Sequence, residues 1–295
     1  MSYQIELRHY RYFKAVAEEL NFRKAASKLF ISQPGLTRQI KQLEEALGAQ
    51  LFDRDKRNVQ LTTAGFYLLK EVEEITNKQK TILSNISLIA NGEMGEINIG
   101  FLGSAIHSIL PEFLLDLNTR FPKIHTSLEE MNNAEQIEKI LNGKIDLGFV
   151  RMDKVPSGIH VFPVHEDSFT LVLPQNHEID MENFTTMKVL EREPFILFSS
   201  DYSPQYFDKI TSICEDEGFS PMVSHKSVHA FTIFKLVEQG LGIAIVPTSL
   251  KAGYDLNIKF IELKNIAQRT ILSAIWPKGN TKPFMPKIID LITQP

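Results

Sequence analysis

With 295 residues, 43% of them hydrophobic and 23% charged, the chain has the composition of an ordinary soluble protein and the length for two or three domains. A single cysteine, Cys214, excludes an internal disulfide and a cysteine-cluster metal site, and no apolar run approaches the ~20 residues of a membrane span. The net charge of −4 is unevenly spread: residues 1–60 carry 11 lysines and arginines against 7 acids, and the remainder carries 21 against 29. A basic head on an acidic body points to a polyanion that meets the head alone, which in the cytoplasm means nucleic acid. The opening MSYQIELRHYRYF lacks the apolar stretch of a secretory signal, so the cytoplasm is the expected compartment.

Residues 7–20, LRHYRYFKAVAEEL, place Leu7, Tyr10, Phe13, Ala17 and Leu20 at helical spacing and predict a first helix with one apolar stripe. Asn21 suits the N-cap of a short second helix, FRKAASKLF, where Ala25 and Ala26 let a neighbour approach closely. After a break over residues 30–32, a third helix begins with Pro34 in its first turn, where the missing N–H costs nothing, and stops at Gly48. Its Leu36, Ile40, Leu43 and Leu47 form the inward stripe, which turns Gln33, Thr37, Arg38 and Lys41 outward. The basic stretch LFDRDKRNVQLTTAG predicts two brief strands around Asp55 to Asn58, a wing carrying Arg54, Lys56 and Arg57. For Arg54 an ion pair with a nearby acid is the competing reading.

Thr62 or Thr63 caps a long helical pattern that Asn91-Gly92 ends. Phe66, Leu69, Val72, Ile75, Ile82, Ile86 and Ile89 recur at roughly heptad spacing, interrupted by Gln79, so this helix needs a partner. Packing on its own domain competes with pairing to a second copy, and a length far beyond the usual ~11 residues favours the second. From Glu96 the pattern becomes βαβαβ: EINIGFLG, a helix around SILPEFLLDLNTRF, HTSLEEM, NAEQIEKILNG and the buried KIDLGFV. A second α/β unit follows, with FTLVLP, PFILFSS, a helix over residues 206–217, a helix over SVHAFTIFKLVEQG and the strand GIAIVP, before RTILSAIW and a closing helix FMPKIIDLI. Two such units with a late return strand predict two lobes around a cleft, joined by crossings near residues 160–166 and 261–269.

The stretch from Leu7 to Gly65 resembles the LysR-type transcriptional regulators. The resemblance is carried by the paired alanines, Ser32-Gln33-Pro34, Leu43-Glu44, Leu51-Phe52-x-Arg54 and Leu61-Thr62-x-Ala64-Gly65. GKIDLGFVR and LVEQGLGIAIVP resemble that family's effector-binding domain more loosely. The resemblance implies an α+β multidomain protein: a winged helix-turn-helix over 1–61, a linker (dimerisation) helix over 62–92, and over 93–295 a two-lobed α/β effector-binding domain resembling type 2 periplasmic binding proteins. Lobe I would take about 93–162 and 267–295, and lobe II about 163–266. It further implies a sequence-specific regulator of transcription that binds double-stranded DNA as a homodimer or homotetramer, with RNA polymerase as a further partner and a small-molecule effector.

Local chemistry points the same way for the head. An amide, a hydroxyl and a guanidinium on the outward N-terminal face of a helix can form bidentate bonds to base edges in the major groove, which suits Gln33, Thr37 and Arg38. Pro34 and Gly35 add little bulk and allow close approach. Wing cations can reach phosphates or the minor groove, and the resemblance singles out Arg57 for that groove. In the second part, Gly103 and Ser104 stand at a strand-to-helix turn whose N–H groups favour an anion. The resemblance implies that the Ser104 hydroxyl touches the effector and that Arg151 holds a carboxylate. It gives Asn133 a position where relatives carry Ser or Thr, while Ser199 and Ser200 end a strand on the opposite lobe. An anionic effector, a carboxylate by default, follows from Ser104 and Arg151; a plain cap and an interlobe salt bridge are their competing roles. No catalytic, metal or cofactor site is expected, because no phosphate loop, dinucleotide fingerprint or nucleophile elbow is present and His225 and His229 lack a companion ligand. A non-catalytic solute-binding protein is the alternative, and it leaves residues 1–92 without a purpose.

Overall fold

The computed structural model describes residues 5–54, 58–152 and 154–294. The chain divides into two compact units, Met1–Ser87 and Leu88–Pro295.

In the first unit, helices α1 (Leu7–Glu19), α2 (Phe22–Lys28) and α3 (Gln33–Leu47) surround Phe13, Val16, Ala25, Leu36, Ile40 and Leu43, all fully buried. Each large side chain among them contributes ~1.5–3 kcal/mol of burial. Helix boundaries follow local chemistry. Asn21 Oδ1 accepts the N–H groups of Arg23 and Lys24, both at 3.0 Å, and opens α2. Phe30, with φ of 56°, closes it in the left-handed region, and its ring is 95% exposed. Ser32 Oγ accepts the Gly35 N–H at 3.3 Å to open α3, and Gly48 ends it with φ of 65°. Leu7, Leu20 and Leu47, expected in the apolar stripes, are exposed because they sit at or just past helix ends, beyond the reach of the three-helix core. Their place on α1 is taken by His9, fully buried, with Nε2 3.1 Å from Gln39 Oε1.

Strands β1 (Phe52–Arg54) and β2 (Val59–Leu61) pair antiparallel as the expected wing. The wing is fastened to α3 by one carboxylate: Glu44 Oε1 accepts the N–H groups of Leu51 at 2.9 Å and Phe52 at 3.3 Å, and Oε2 accepts Arg54 Nη2 at 2.7 Å. Helix α4 (Thr63–Ala90) starts with Thr62 Oγ1 accepting the Gly65 N–H at 3.0 Å. A Cβ on Gly65 would collide with the Leu51 carbonyl oxygen, so the glycine is needed for α4 to lie against the strand entry. Gly65→Ala is expected to destabilise this unit by roughly 1–3 kcal/mol, because backbone must move to admit the methyl; a thermal melt indistinguishable from the parent would refute that fit. Further along α4, Leu69 and Val72 pack into the core whereas Phe66, Ile75, Ile82, Ile86 and Ile89 are exposed. The single stripe read from the sequence is therefore covered within this unit only at Leu69 and Val72.

Among the described residues the second unit has three sheets. The first has the order β4-β3-β5-β12-β6, built from β3 (Gly95–Phe101), β4 (Ile124–Glu130), β5 (Leu147–Val150), β6 (Ile159–Asp167) and β12 (Thr270–Pro277). Strands β3, β4 and β5 run parallel, as a βαβαβ run requires, and the return strand β12 pairs antiparallel with β5 and β6. Helices α5 (Leu110–Arg120) and α9 (Met285–Thr293) cover one core, around Ile97, Ile99, Leu147 and Phe149, and α6 (Asn133–Leu141) covers another. In the second lobe β7 (Phe169–Pro174) lies antiparallel between β10 (Ala244–Pro247) and β11 (Ile258–Glu262). Beside them β8 (Pro194–Phe198) and β9 (Met222–Ser227) run parallel, flanked by α7 (Pro204–Asp216) and α8 (Ala230–Glu238). Neither β9 nor β11 is predicted above. MVSHKS is almost wholly exposed with no apolar alternation, and IKFIE is short, so neither bears the period-2 signal of a half-buried strand. The crossings are β6, which runs directly into β7, and the segment from β11 to β12; Asp167 and Thr270 face each other where the lobes join.

Candidate functional site

On α3 the inward side is closed by Leu36, Ile40 and Leu43, and the outward side presents Gln33, Pro34, Arg38 and Lys41 to solvent. Arg38 has no side-chain partner among the described residues, so its guanidinium is free to meet a ligand. Lys41 Nζ stands 3.8 Å from Glu45, an exposed pair of little energetic weight. Thr37 is half-buried and its hydroxyl donates to the Gln33 carbonyl at 3.0 Å, which leaves its oxygen lone pairs and methyl for contact. Arg54 is turned the other way. Its bond to Glu44 and its position 4.8 Å over the Phe22 ring make it a brace between wing and helix, the competing structural role. Lys56 and Arg57 lie outside the described residues.

In the second unit a cavity of about 380 Å³ opens at the carboxyl ends of β3, β4 and β5 and is closed from the other lobe by α7 and α8. Gly103, Ser104 and Arg151 line it, as expected. Asn133, Ser199 and Ser200 do not. Asn133 is buried beneath the wall, where Nδ2 donates to the Arg151 carbonyl at 3.0 Å and Oδ1 accepts the Arg151 N–H at 3.1 Å, so its amide positions the arginine backbone. The Ser199 carbonyl accepts the N–H groups of Tyr202 and Ser203, and the turn so formed puts those two residues, not Ser199 or Ser200, against the cavity.

Both groups expected to attract an anion are already engaged. Arg151 is 7% exposed, and its guanidinium donates to Ser104 Oγ (3.2 Å), to Thr270 Oγ1 (3.3 Å) and to Asp167 Oδ2 (3.2 Å). Burial pushes its pKa below the ordinary arginine value, and the Asp167 carboxylate opposes that push. Asp167 in turn accepts the Ser249 N–H at 3.2 Å, so the pair ties strand ends from both lobes. The turn at Gly103 is a five-residue 3-10 helix, Gly103–His107, in place of the longer helix expected, and its dipole is correspondingly slight. Glu130 Oε1 lies only 2.5 Å from where a Cβ on Gly103 would be, so the carboxylate packs against the open face of that glycine.

What fills the walls is aromatic. Phe198, Tyr202, Tyr206, Phe231 and Tyr254 line the cavity, and Phe231 lies stacked with Tyr254 at 6.3 Å between centroids. Burial raises the Tyr202 phenol to about 12 and raises Tyr254 as well, with the Glu130 charge adding to both shifts, so both stay protonated. Tyr206 donates to the Ile245 carbonyl. Tyr254 Oη is 3.1 Å from His107 Nε2, and burial lowers the His107 pKa, keeping the ring neutral and able to accept the phenol proton there. These aromatics and Glu130 escaped the sequence reading. The available signal was the i, i+4 pair Tyr202 and Tyr206 directly after a strand end, where ligand-facing side chains collect.

No group of three metal-binding side chains gathers among the described residues. Cys214 is buried and its thiol is pushed up to about 12 by burial, which makes it an inert core residue. No helix among the described residues is long and apolar enough to cross a membrane.

Two family profiles match the chain: "Bacterial regulatory helix-turn-helix protein, lysR family" over residues 7–66 and "LysR substrate binding domain" over residues 90–294. Among relatives, the HTH-type transcriptional regulator AlsR of Bacillus subtilis (strain 168) is 32% identical, covering 97% of this chain and 95% of its own. CatR of Pseudomonas putida, also named an HTH-type transcriptional regulator, is 33% identical over 98% and 99%. Among solved structures, full-length CbnR complexed with its target DNA superposes with a TM-score of 0.80 at 27% identity, covering 98% of each chain.

Proposed function

The chain belongs to the LysR family of bacterial helix-turn-helix regulators, and from that premise we propose how its parts divide the work of a DNA-binding transcriptional regulator with a substrate-binding domain. Like the relatives named above, it is a regulator and not an enzyme. Residues 1–61 read DNA, the helix over 62–92 pairs two copies, and residues 93–295 bind a small-molecule effector between lobes, all in the cytoplasm. Gln33, Thr37 and Arg38 contact base edges, Pro34 lets the helix end approach them, Lys41 with Lys56 and Arg57 contacts the backbone or minor groove, and Arg54 braces the wing. Two heads in a dimer read an interrupted inverted repeat, two dimers assemble as a tetramer, and RNA polymerase is the further partner of such an assembly.

The observation that carries the DNA-reading assignment is the outward face of α3, where Arg38 has no side-chain partner opposite a fully buried stripe. Arg38→Ala is expected to lower the preference for a fragment from beside the protein's own gene over random DNA by about 1–3 kcal/mol, the worth of one bidentate base contact. Gel-shift titrations at fixed salt measure that ratio. An unchanged ratio would place base reading on another face.

For the effector, the cavity at the lobe junction is the site, and a ligand touching both lobes favours one arrangement of them and so biases the attached heads. Gly103 and Ser104 contribute lining and Arg151 contributes through its hold on Ser104 and Asp167; Asn133, Ser199 and Ser200 act behind the wall. An anionic effector that reached Arg151 would compete with Asp167 for the guanidinium or bind through the Ser104 hydroxyl.

A further inference from the structure

Resting on the reading of this cavity as the effector site, we infer that the effector is a small arylalkyl amine, its ammonium held by the Glu130 carboxylate and its ring seated among Phe231, Tyr254 and Tyr202. Four observations converge on this class. The first is the charge balance of the walls. Arg151 and Asp167 form a closed pair, which leaves Glu130 as the carboxylate facing the space. Among the described residues no lysine or arginine pairs with it, and its nearest basic neighbour, His229 Nδ1, stands 3.9 Å from Oε1, beyond hydrogen-bond range. A cationic ligand neutralises that charge, whereas a carboxylate would set two like charges in one partly enclosed site.

Next comes the direction of the hydrogen bonds. The Tyr206 hydroxyl donates to the Ile245 carbonyl, which leaves its oxygen lone pairs, and Tyr254 Oη shares a 3.1 Å bond with His107 Nε2 in which either atom can carry the proton. Ser104 Oγ, which accepts from Arg151, and the Tyr202 phenol can still donate, so the acceptor in the lining that suits an ammonium with three N–H donors is the Glu130 carboxylate. The aromatic walls form the third observation, since ring faces attract a cation electrostatically and also stack on a planar apolar body. Fourth is size: about 380 Å³ lies at the small end of the ~300–1,000 Å³ typical of ligand sites, enough for a single ring with a short side chain.

The test compares three probes of nearly equal shape on the full-length chain by isothermal titration calorimetry: phenethylamine, 2-phenylethanol and phenylacetate. Phenethylamine is expected to bind about tenfold or more tightly than either of the others, the weight of one charge-assisted hydrogen bond. Glu130→Gln, nearly isosteric and partly exposed, is expected to reduce the amine to the level of the alcohol. The comparison of amine with alcohol in the parent protein stands even if that variant folds poorly. Tightest binding by phenylacetate, an amine preference that survives Glu130→Gln, or no binding by any probe would overturn the amine. The cavity itself is checked with Ala230→Trp, which fills it. Phenylacetate binding that is the tightest of the three in the parent and vanishes in this variant overturns the amine and retains the cavity, whereas any probe whose binding is unaffected by it overturns the cavity as the effector site.

Discussion

If α4 pairs two copies as proposed, Ile82→Asp together with Ile86→Asp is expected to leave monomers. Both side chains are about half exposed on α4, on a helix whose later turns have no globular neighbour in their own unit, and they align with Ile75 and Ile89. Pairing two such helices buries four of these isoleucines at ~1.5–3 kcal/mol each, and replacing them with carboxylates also sets like charges against one another along the seam. The combined loss amounts to several orders of magnitude in dimer affinity. Sedimentation velocity at micromolar concentration reads it directly, with Asn77→Asp together with Ser84→Asp on the opposite side of the helix as a control of equal charge. Unchanged assemblies in the double variant would mean that contacts elsewhere hold the chains. The loss should propagate to DNA binding, since a monomer presents one recognition helix where an inverted repeat offers two sites.

Asp167→Ala should be the most destabilising single change in the second unit. It leaves the Arg151 guanidinium, 7% exposed, without its counter-charge and removes the acceptor of the Ser249 N–H. Breaking one side of a buried pair costs ~3–5 kcal/mol because the remaining charge stays desolvated. For a unit of this size that corresponds to a melting temperature lower by roughly 6–20 °C. Removing both charges, with Arg151→Met and Asp167→Leu, should recover much of the loss, since the penalty belongs to the orphaned charge more than to the missing attraction. Calorimetry on the three variants separates the cases. A single variant that melts with the parent would show that water or another residue satisfies Arg151, and a double variant no better than the single would show that the pair organises the hinge beyond its charge.

Much of the first unit was legible because its signals are local. Asn21, Ser32, Gly48 and Thr62 each act within three or four residues of themselves, and the stripe of Leu36, Ile40 and Leu43 repeats at the period of one helix. Arg54 marks the limit of that reading. A cation in a basic wing looks like a phosphate contact until its neighbour ten positions back, Glu44, is seen reaching it. The same limit holds in the second unit, where alternation located the βαβαβ run but not β9 or β11, whose sequences carry little periodicity.

By itself the sequence determined the helices of the first unit, the βαβαβ run of the second, the outward face of α3, and the family to which the chain belongs. These rest on periodicity, caps and closely spaced motifs, interactions whose partners are near in the chain. Only the tertiary structure decided the chemistry of the cavity in the second unit. Arg151 meets Asp167 from 16 positions away and Thr270 from 119, and Glu130 comes to lie beside Gly103 from the neighbouring strand. Whether a charge is available to a ligand depends on which other charge the fold brings within about 4 Å, and that distance is set by strand order and register, which a linear pattern of residue types does not encode.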